Sequence, residues 1–215
     1  NYLPGVPEGS DLCITPVSAP ENHYVCIKAD NRLDADGTLR GTFTLTAEGQ
    51  SDSNIRRIFT TGFRSEWKNT MESQLLAISP KAKLLSVDYG KNPKDYQAAP
   101  IKITFRYEIP DYALKGEKEM FFRPLVMNNL YNQVRSYLRI DTSLEERKYG
   151  FKDGCSRLVE LDETIQLPAG YKLANADKNE TMQGTGADFE GSLAQQGNKV
   201  LLHNKLALKK RVYEA

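Results

Sequence analysis

Three cysteines, Cys13, Cys26 and Cys155, and two histidines, His23 and His203, are the side chains best suited to nucleophilic or metal chemistry. A thiolate nucleophile needs a base beside it and an acid to orient that base. Nothing in the spacing announces such a set. There is no CxxC or other metal pattern, and no cysteine opens an expected helix, where the backbone dipole would lower its pKa. Cys155 falls in a turn-like KDGCS before a strand. An odd number of thiols cannot all pair internally. They read as small buried residues, with a Cys13 to Cys26 disulfide as the open alternative, so the redox compartment is undecided. The two histidines read as surface residues beside strand ends.

Carboxylates come next. Asp34, Asp36 and Gly37 resemble the start of a calcium loop, but an EF-hand needs an acid where Arg32 stands and a glutamate where Phe43 stands. Turn chemistry accounts for the run, and Asp30, Asp34 and Asp36 keep only the smaller capacity to hold an adventitious cation. The Gly184 to Gly186 stretch lacks phosphate-loop spacing, and no GxSxG supports a serine nucleophile. Asn179-Glu180-Thr181 fits a glycosylation sequon. Tyr89, Tyr96, Tyr107, Tyr112, Phe121 and Phe122 can line a groove for sugar or peptide, though their strand positions favour core packing. These residues assign no catalytic, cofactor-binding or metal position, and no cofactor is expected.

Charge excludes further classes. With 29 basic and 28 acidic residues the net charge is +1, so no global field recruits nucleic acid or an anionic membrane. Lys205, Lys209, Lys210 and Arg211 alternate with Leu206 and Leu208, as on the wet face of a strand. No apolar run approaches the ~20 residues of a membrane span, so no membrane insertion is expected. The opening NYLPGVPEGSD does not read as a signal peptide and resembles mid-protein sequence.

The elements that must position these groups are mostly strands. Ser51 to Ser79 is the only long segment that reads as helix, with Ile55, Ile58 or Phe59, Gly62 or Phe63, Trp67, Met71, Leu75 and Ile78 recurring at three- and four-residue steps. Arg56, Arg57, Arg64, Lys68 and Glu72 fall mostly off that stripe. Ser51, Asp52 or Ser53 is expected to cap its start, and Pro80 to block its continuation. Gly62 predicts either a kink or a break into two helices. Strands are expected at Tyr24–Ala29, Thr38–Ala47, Lys83–Tyr89 and Ile101–Ile109, with Glu119–Val126 a fifth, interrupted by Pro124. Asn128–Ile140 fits a helix turn or a strand. Later strands cover Tyr149–Leu167, closed by a turn at Pro168 to Gly170, then Ala187–Leu193, Lys199–His203 and Leu206–Val212.

The fold class expected is mainly β, of the α+β kind: antiparallel sheet or sandwich modules with one long helix packed on a sheet. Residues 1–23, rich in proline, form a linker or strap. Residues 24–126 form the sheet with its helix, and 127–215 a sandwich-like module or an extension of the first sheet.

Three stretches carry a resemblance: LPGVPEG; LDADGTLRGTFTLTAEGQ with the following helix and its Arg56 and Arg57; and ETIQLPAGYKL with the ending KLALKKRVYEA. With these the chain resembles the C-terminal, non-catalytic region of Bacteroidetes transglutaminase-like proteins. That resemblance implies a papain-like core upstream of Asn1, β-rich modules of this pattern after it, and export to the periplasm or cell surface. No residue here fills the family's catalytic cysteine, histidine or aspartate role. The expected function is therefore a non-enzymatic accessory region that supports a transglutaminase- or peptidase-like core of the same polypeptide, or engages its protein or peptide substrate. The alternative is a stand-alone module binding glycan or peptide.

Overall fold

The computed structural model describes residues 5–9, 11–13, 15–98, 100–126, 146, 148–175 and 177–214. The expectation for Asn128–Ile140 falls outside them. In chain order, a 3-10 turn at Pro20–His23 leads into β1 (Tyr24–Leu33), β2 (Leu39–Ala47), α1 (Gly49–Thr60), a second 3-10 turn (Arg64–Glu66) and α2 (Trp67–Ile78). Then follow β3 (Lys83–Asp88), β4 (Ile101–Ile109), β5 (Leu114–Lys115), β6 (Met120–Phe121), β7 (Phe151–Lys152) and β8 (Arg157–Gln166). The described chain closes with β9 (Lys178–Gln183), β10 (Ala187–Gln196), β11 (Lys199–Leu208) and β12 (Val212–Tyr213).

Eight strands form one sheet in the order β3-β4-β2-β1-β8-β11-β10-β9. Every neighbouring pair is antiparallel except β1 with β8, which run parallel with Tyr24 opposite Leu158 and Arg32 opposite Gln166. The fold is thus mainly β with helices, as expected, but the sheet is mixed. The C-terminal strands take the second of the two expected arrangements and extend the first sheet.

Alternation decides the faces. Val25, Ile27, Ala29, Asn31 and Leu33 of β1 point inward, as do Ile101, Ile103, Phe105, Tyr107 and Ile109 of β4, and all are buried. Phe43 and Phe105 stack here with ring centroids 4.3 Å apart. Helix α1 lies against β1, β2 and β4, and α2 against β3. Trp67, Met71 and Leu75, the expected apolar stripe of α2, are 5%, 3% and 1% exposed.

The expected long helix is broken in two around Gly62, the second of the two outcomes expected there. Its stripe loses register at Thr61–Phe63, where Gly62 has no side chain to hold helical backbone and Phe63 turns out to solvent, 77% exposed. The Glu66 carboxylate then accepts the Phe63 N–H at 3.2 Å and starts the second segment. The expected cap is also displaced. Helix α1 begins at Gly49, without a side-chain cap. Ser51 donates to the His23 carbonyl at 2.8 Å, and Asp52 is taken by Arg56. Glu119–Val126 forms only the two-residue β6 paired with β5. Past Pro124, which has no N–H to give a ladder, the N–H groups of Leu125 and Val126 turn to Glu163.

Candidate functional site

The face of the sheet that no described helix covers carries the side chains that alternate away from α1 and α2. β8 presents Glu160, Asp162 and Thr164 there, β1 presents Lys28 and Asp30, and β11 presents His203 and Lys205, each placed by register. His203 Nδ1 lies 2.7 Å from Asp162 Oδ1, and Lys28 Nζ lies 3.4 Å from the other oxygen of that carboxylate. Lys205 stands opposite Glu160. A shallow hollow of about 430 Å³ opens over this patch. A second, of about 460 Å³, lies over Arg32, Arg40, Thr42 and Arg106. Donor atoms of Glu160, Asp162 and His203 fall within 4.8 Å of one another, a set that suits a borderline divalent ion such as zinc. Lys28 and His203 already pair with Asp162, and Lys205 stands opposite Glu160, so the same patch also reads as a cross-strand charge ladder.

A second cluster is buried on the inner face. The Glu163 carboxylate, 1% exposed, accepts from Asn31 Nδ2 at 2.8 Å and from the backbone N–H groups of Leu125 at 3.0 Å and Val126 at 2.9 Å. Asn31 Oδ1 in turn accepts the Tyr107 hydroxyl. That bond crosses β2 above Gly41, which pairs with both Asn31 and Tyr107; a Cβ there would run into Asn31 Oδ1 and the Asp30 carbonyl. Burial, followed by the charge on Glu163, holds the Tyr107 phenol well above its ordinary pKa, so it stays a neutral donor.

A third cluster lies beside β3. Phe59, Trp67 and Tyr89 meet edge to face, with centroids 5.2 to 5.7 Å apart. The loop after β3 is clamped by Arg56, which is 2% exposed. Its Nη1 donates to the carbonyls of Asn92, Pro93 and Asp95, and its Nε to Asp52 at 2.6 Å.

Residues 118–215 match a family model. It is described as Domain of Unknown Function with solved-structure structure (DUF3858). The matched segment holds β8 to β11, and with them Glu163 and the Asp162–His203 pair, whereas Arg56, Trp67 and Tyr89 precede it. No curated protein and no solved structure matches the chain.

The side chains singled out in the sequence are scattered over these clusters. The cysteines are free. Burial pushes the Cys26 thiol up, as does nearby Glu160; burial also raises Cys155. Both shifts run opposite to what a thiolate nucleophile needs. His23 Nδ1 accepts the Gln50 N–H at 3.2 Å at the start of α1. Asp34 pairs with Arg32 and Arg40, and Asp36 Oδ1 accepts the Thr38 N–H at 2.9 Å, the turn role expected of it. Gly184 gives its N–H to the Asp188 carboxylate at 3.2 Å, which places an acid where a phosphate loop would need none. Lys209 pairs with that same carboxylate at 2.6 Å. Of the aromatics, Tyr107 is core, Tyr89 joins the ring cluster, Tyr96 lies 5.9 Å from the Arg56 guanidinium, and Phe121 is exposed. Among the described residues no helix is long and apolar enough to cross a membrane.

Proposed function

We propose that this chain is a non-enzymatic accessory module that engages a protein partner through the uncovered face of its sheet. The partner is a transglutaminase- or peptidase-type core, in the same polypeptide or apart from it, or that core's protein substrate. The observation that carries this reading is the face itself, eight strands wide and, among the described residues, uncovered by helices. Its charges are fixed in ladders such as Lys28–Asp162–His203 and Arg40–Glu108. Side chains held this way lose little freedom on association, and a mixed-charge face selects a complementary one. The raised thiol pKa values of Cys26 and Cys155 make these two thiols poor nucleophiles. Export to the periplasm or cell surface belongs to the same proposal and rests on the resemblance alone.

The test is hydrogen exchange and cross-linking of the chain with such a core. Protection is expected over β1, β8 and β11 on the open face. The reciprocal swap Lys28→Glu with Asp162→Lys keeps an ion pair between β1 and β8 but reverses its direction and sets a lysine against His203, and is expected to abolish association. Undiminished association of the swapped variant would overturn the reading. So would peptide hydrolysis or cross-linking by the isolated chain that Cys155→Ala or His203→Ala removes.

A further inference from the structure

Among the described residues, five buried side-chain polar atoms lack a hydrogen-bond partner, and two of them, Trp67 Nε1 and Tyr89 Oη, belong to neighbouring rings. Both residues line one pocket of about 260 Å³ at the β3 edge of the sheet. Trp67 is 5% exposed. A buried donor without a partner costs about 1 to 3 kcal/mol, so two on neighbouring rings beside one pocket need an explanation.

The chemistry of the two groups narrows what would answer them. An indole N–H only donates, and a phenol donates while protonated. Burial raises the Tyr89 pKa, which keeps that proton in place. The complement is therefore an acceptor. Cations surround it: the Arg64 guanidinium and the Lys94 ammonium each lie 5.9 Å from the indole centroid, and Lys91 lines the wall. The acid on that wall, Asp88, is turned to the Gly90 N–H at 2.9 Å. That bond also takes the backbone N–H a phosphate cradle would use, so the site fits a carboxylate better than a phosphate. The wall is built, because Arg56 clamps the loop from beneath through three carbonyls. Phe63, directly before Arg64 and 77% exposed, offers an apolar surface to whatever carries the acid.

We propose that this pocket binds a carboxylate carried on a peptide. Trp67 Nε1 and Tyr89 Oη are sealed from solvent as they stand, so Arg64 and Lys94 must first swing off the indole, Lys94 leaving the Gly62 carbonyl to which it donates at 3.2 Å; the carboxylate then accepts from both rings and pairs with the two cations. The site is separate from the open face and stands whether or not that face is an interface.

Trp67 is the single tryptophan, so its emission reports on the pocket directly. The full chain is titrated with three acetylated peptides: Gly-Glu-Gly amide, its Gln counterpart, and Gly-Gly-Ala with a free C-terminus. Saturable change in emission is expected with one or both acids and none with the glutamine peptide, and the stronger acid identifies a side-chain or C-terminal source. Tyr89→Phe, which removes only the hydroxyl, is expected to weaken binding about fivefold, and Arg64→Ala with Lys94→Ala, both exposed, tenfold or more. No saturable change up to about 10 mM acid would overturn the proposal, as would an equal response to the glutamine peptide. Unaltered affinity in both variants would do the same. Competition by inorganic phosphate at equal strength would overturn the choice of carboxylate.

Discussion

Replacing Arg56 with methionine tests the clamp on which the β3–β4 loop depends. The guanidinium is 2% exposed and its partner Asp52 13%, with Nε and Oδ2 2.6 Å apart. The other Asp52 oxygen accepts the Ile101 N–H at 2.7 Å, so one ion pair joins α1, the loop and the first residue of β4. Methionine keeps the length and apolar stem of arginine but leaves Asp52 without its charge partner and releases the carbonyls of Asn92, Pro93 and Asp95. Breaking a buried pair from one side costs about 3 to 5 kcal/mol. The loop carbonyls can regain water as the loop loosens, which favours the lower half of that range. In a chain of 215 residues this is a fall in Tm of roughly 10 °C. Urea unfolding followed by Trp67 emission and by far-ultraviolet circular dichroism measures it. Arg56→Lys retains charge but not the fork that spans both walls, and should fall between. A loss below about 1 kcal/mol for methionine, the scale of a surface ion pair, would refute the reasoning.

Further outcomes follow from the other clusters. Glu163→Gln sets an amide N–H against one of the backbone N–H groups it now accepts, and is expected to cost about 2 to 4 kcal/mol in chemical unfolding. Gly41→Ala forces Asn31 and Tyr107 apart and should destabilise more than Gly154→Ala, which has open space around it. Burial and then Arg157 lower the His23 pKa, so the unfolded chain binds a proton first as pH falls. Its contribution is complete above the ordinary value of 6.5 and is lost below it; His23→Gln should flatten the fall in stability between pH 7 and 5. Tyr89→Phe, without ligand, should raise stability by up to about 1 kcal/mol, since it deletes an unsatisfied hydroxyl.

Period-2 alternation made most of the sheet readable. Ile101–Ile109 is a strand to the residue, and the inward faces of β1, β2 and β8 follow the same parity. What escaped has definite causes. Strand β9, KNETMQ, is exposed at all six positions and carries no alternation; the ladder with β10 makes it a strand. Arg56 reads as solvent-facing by charge, but the carbonyls that bury it lie 36 to 39 residues away. Glu163 shares the odd parity of Val159, Leu161 and Ile165, a signal that went unread because its charge argues for solvent; its partners, Asn31 and the backbone at Leu125, have no local signature. Trp67 and Tyr89 were visible singly, and only the fold brings them to one pocket.

The parallel pairing of β1 with β8 has a consequence for how this protein is made. Tyr24 leaves the ribosome more than a hundred residues before its partner Leu158. At about 5 to 20 residues per second, the flank of β1 away from β2 waits on the order of ten seconds without a neighbour. During that interval the nascent N-terminal half presents a bare row of backbone donors and acceptors, a template for pairing with another chain. Cutting the gene at residue 118, where the family match begins, would make that delay permanent for both halves: each would carry as a raw edge a strand, β1 or β8, that had stood at the centre of the sheet.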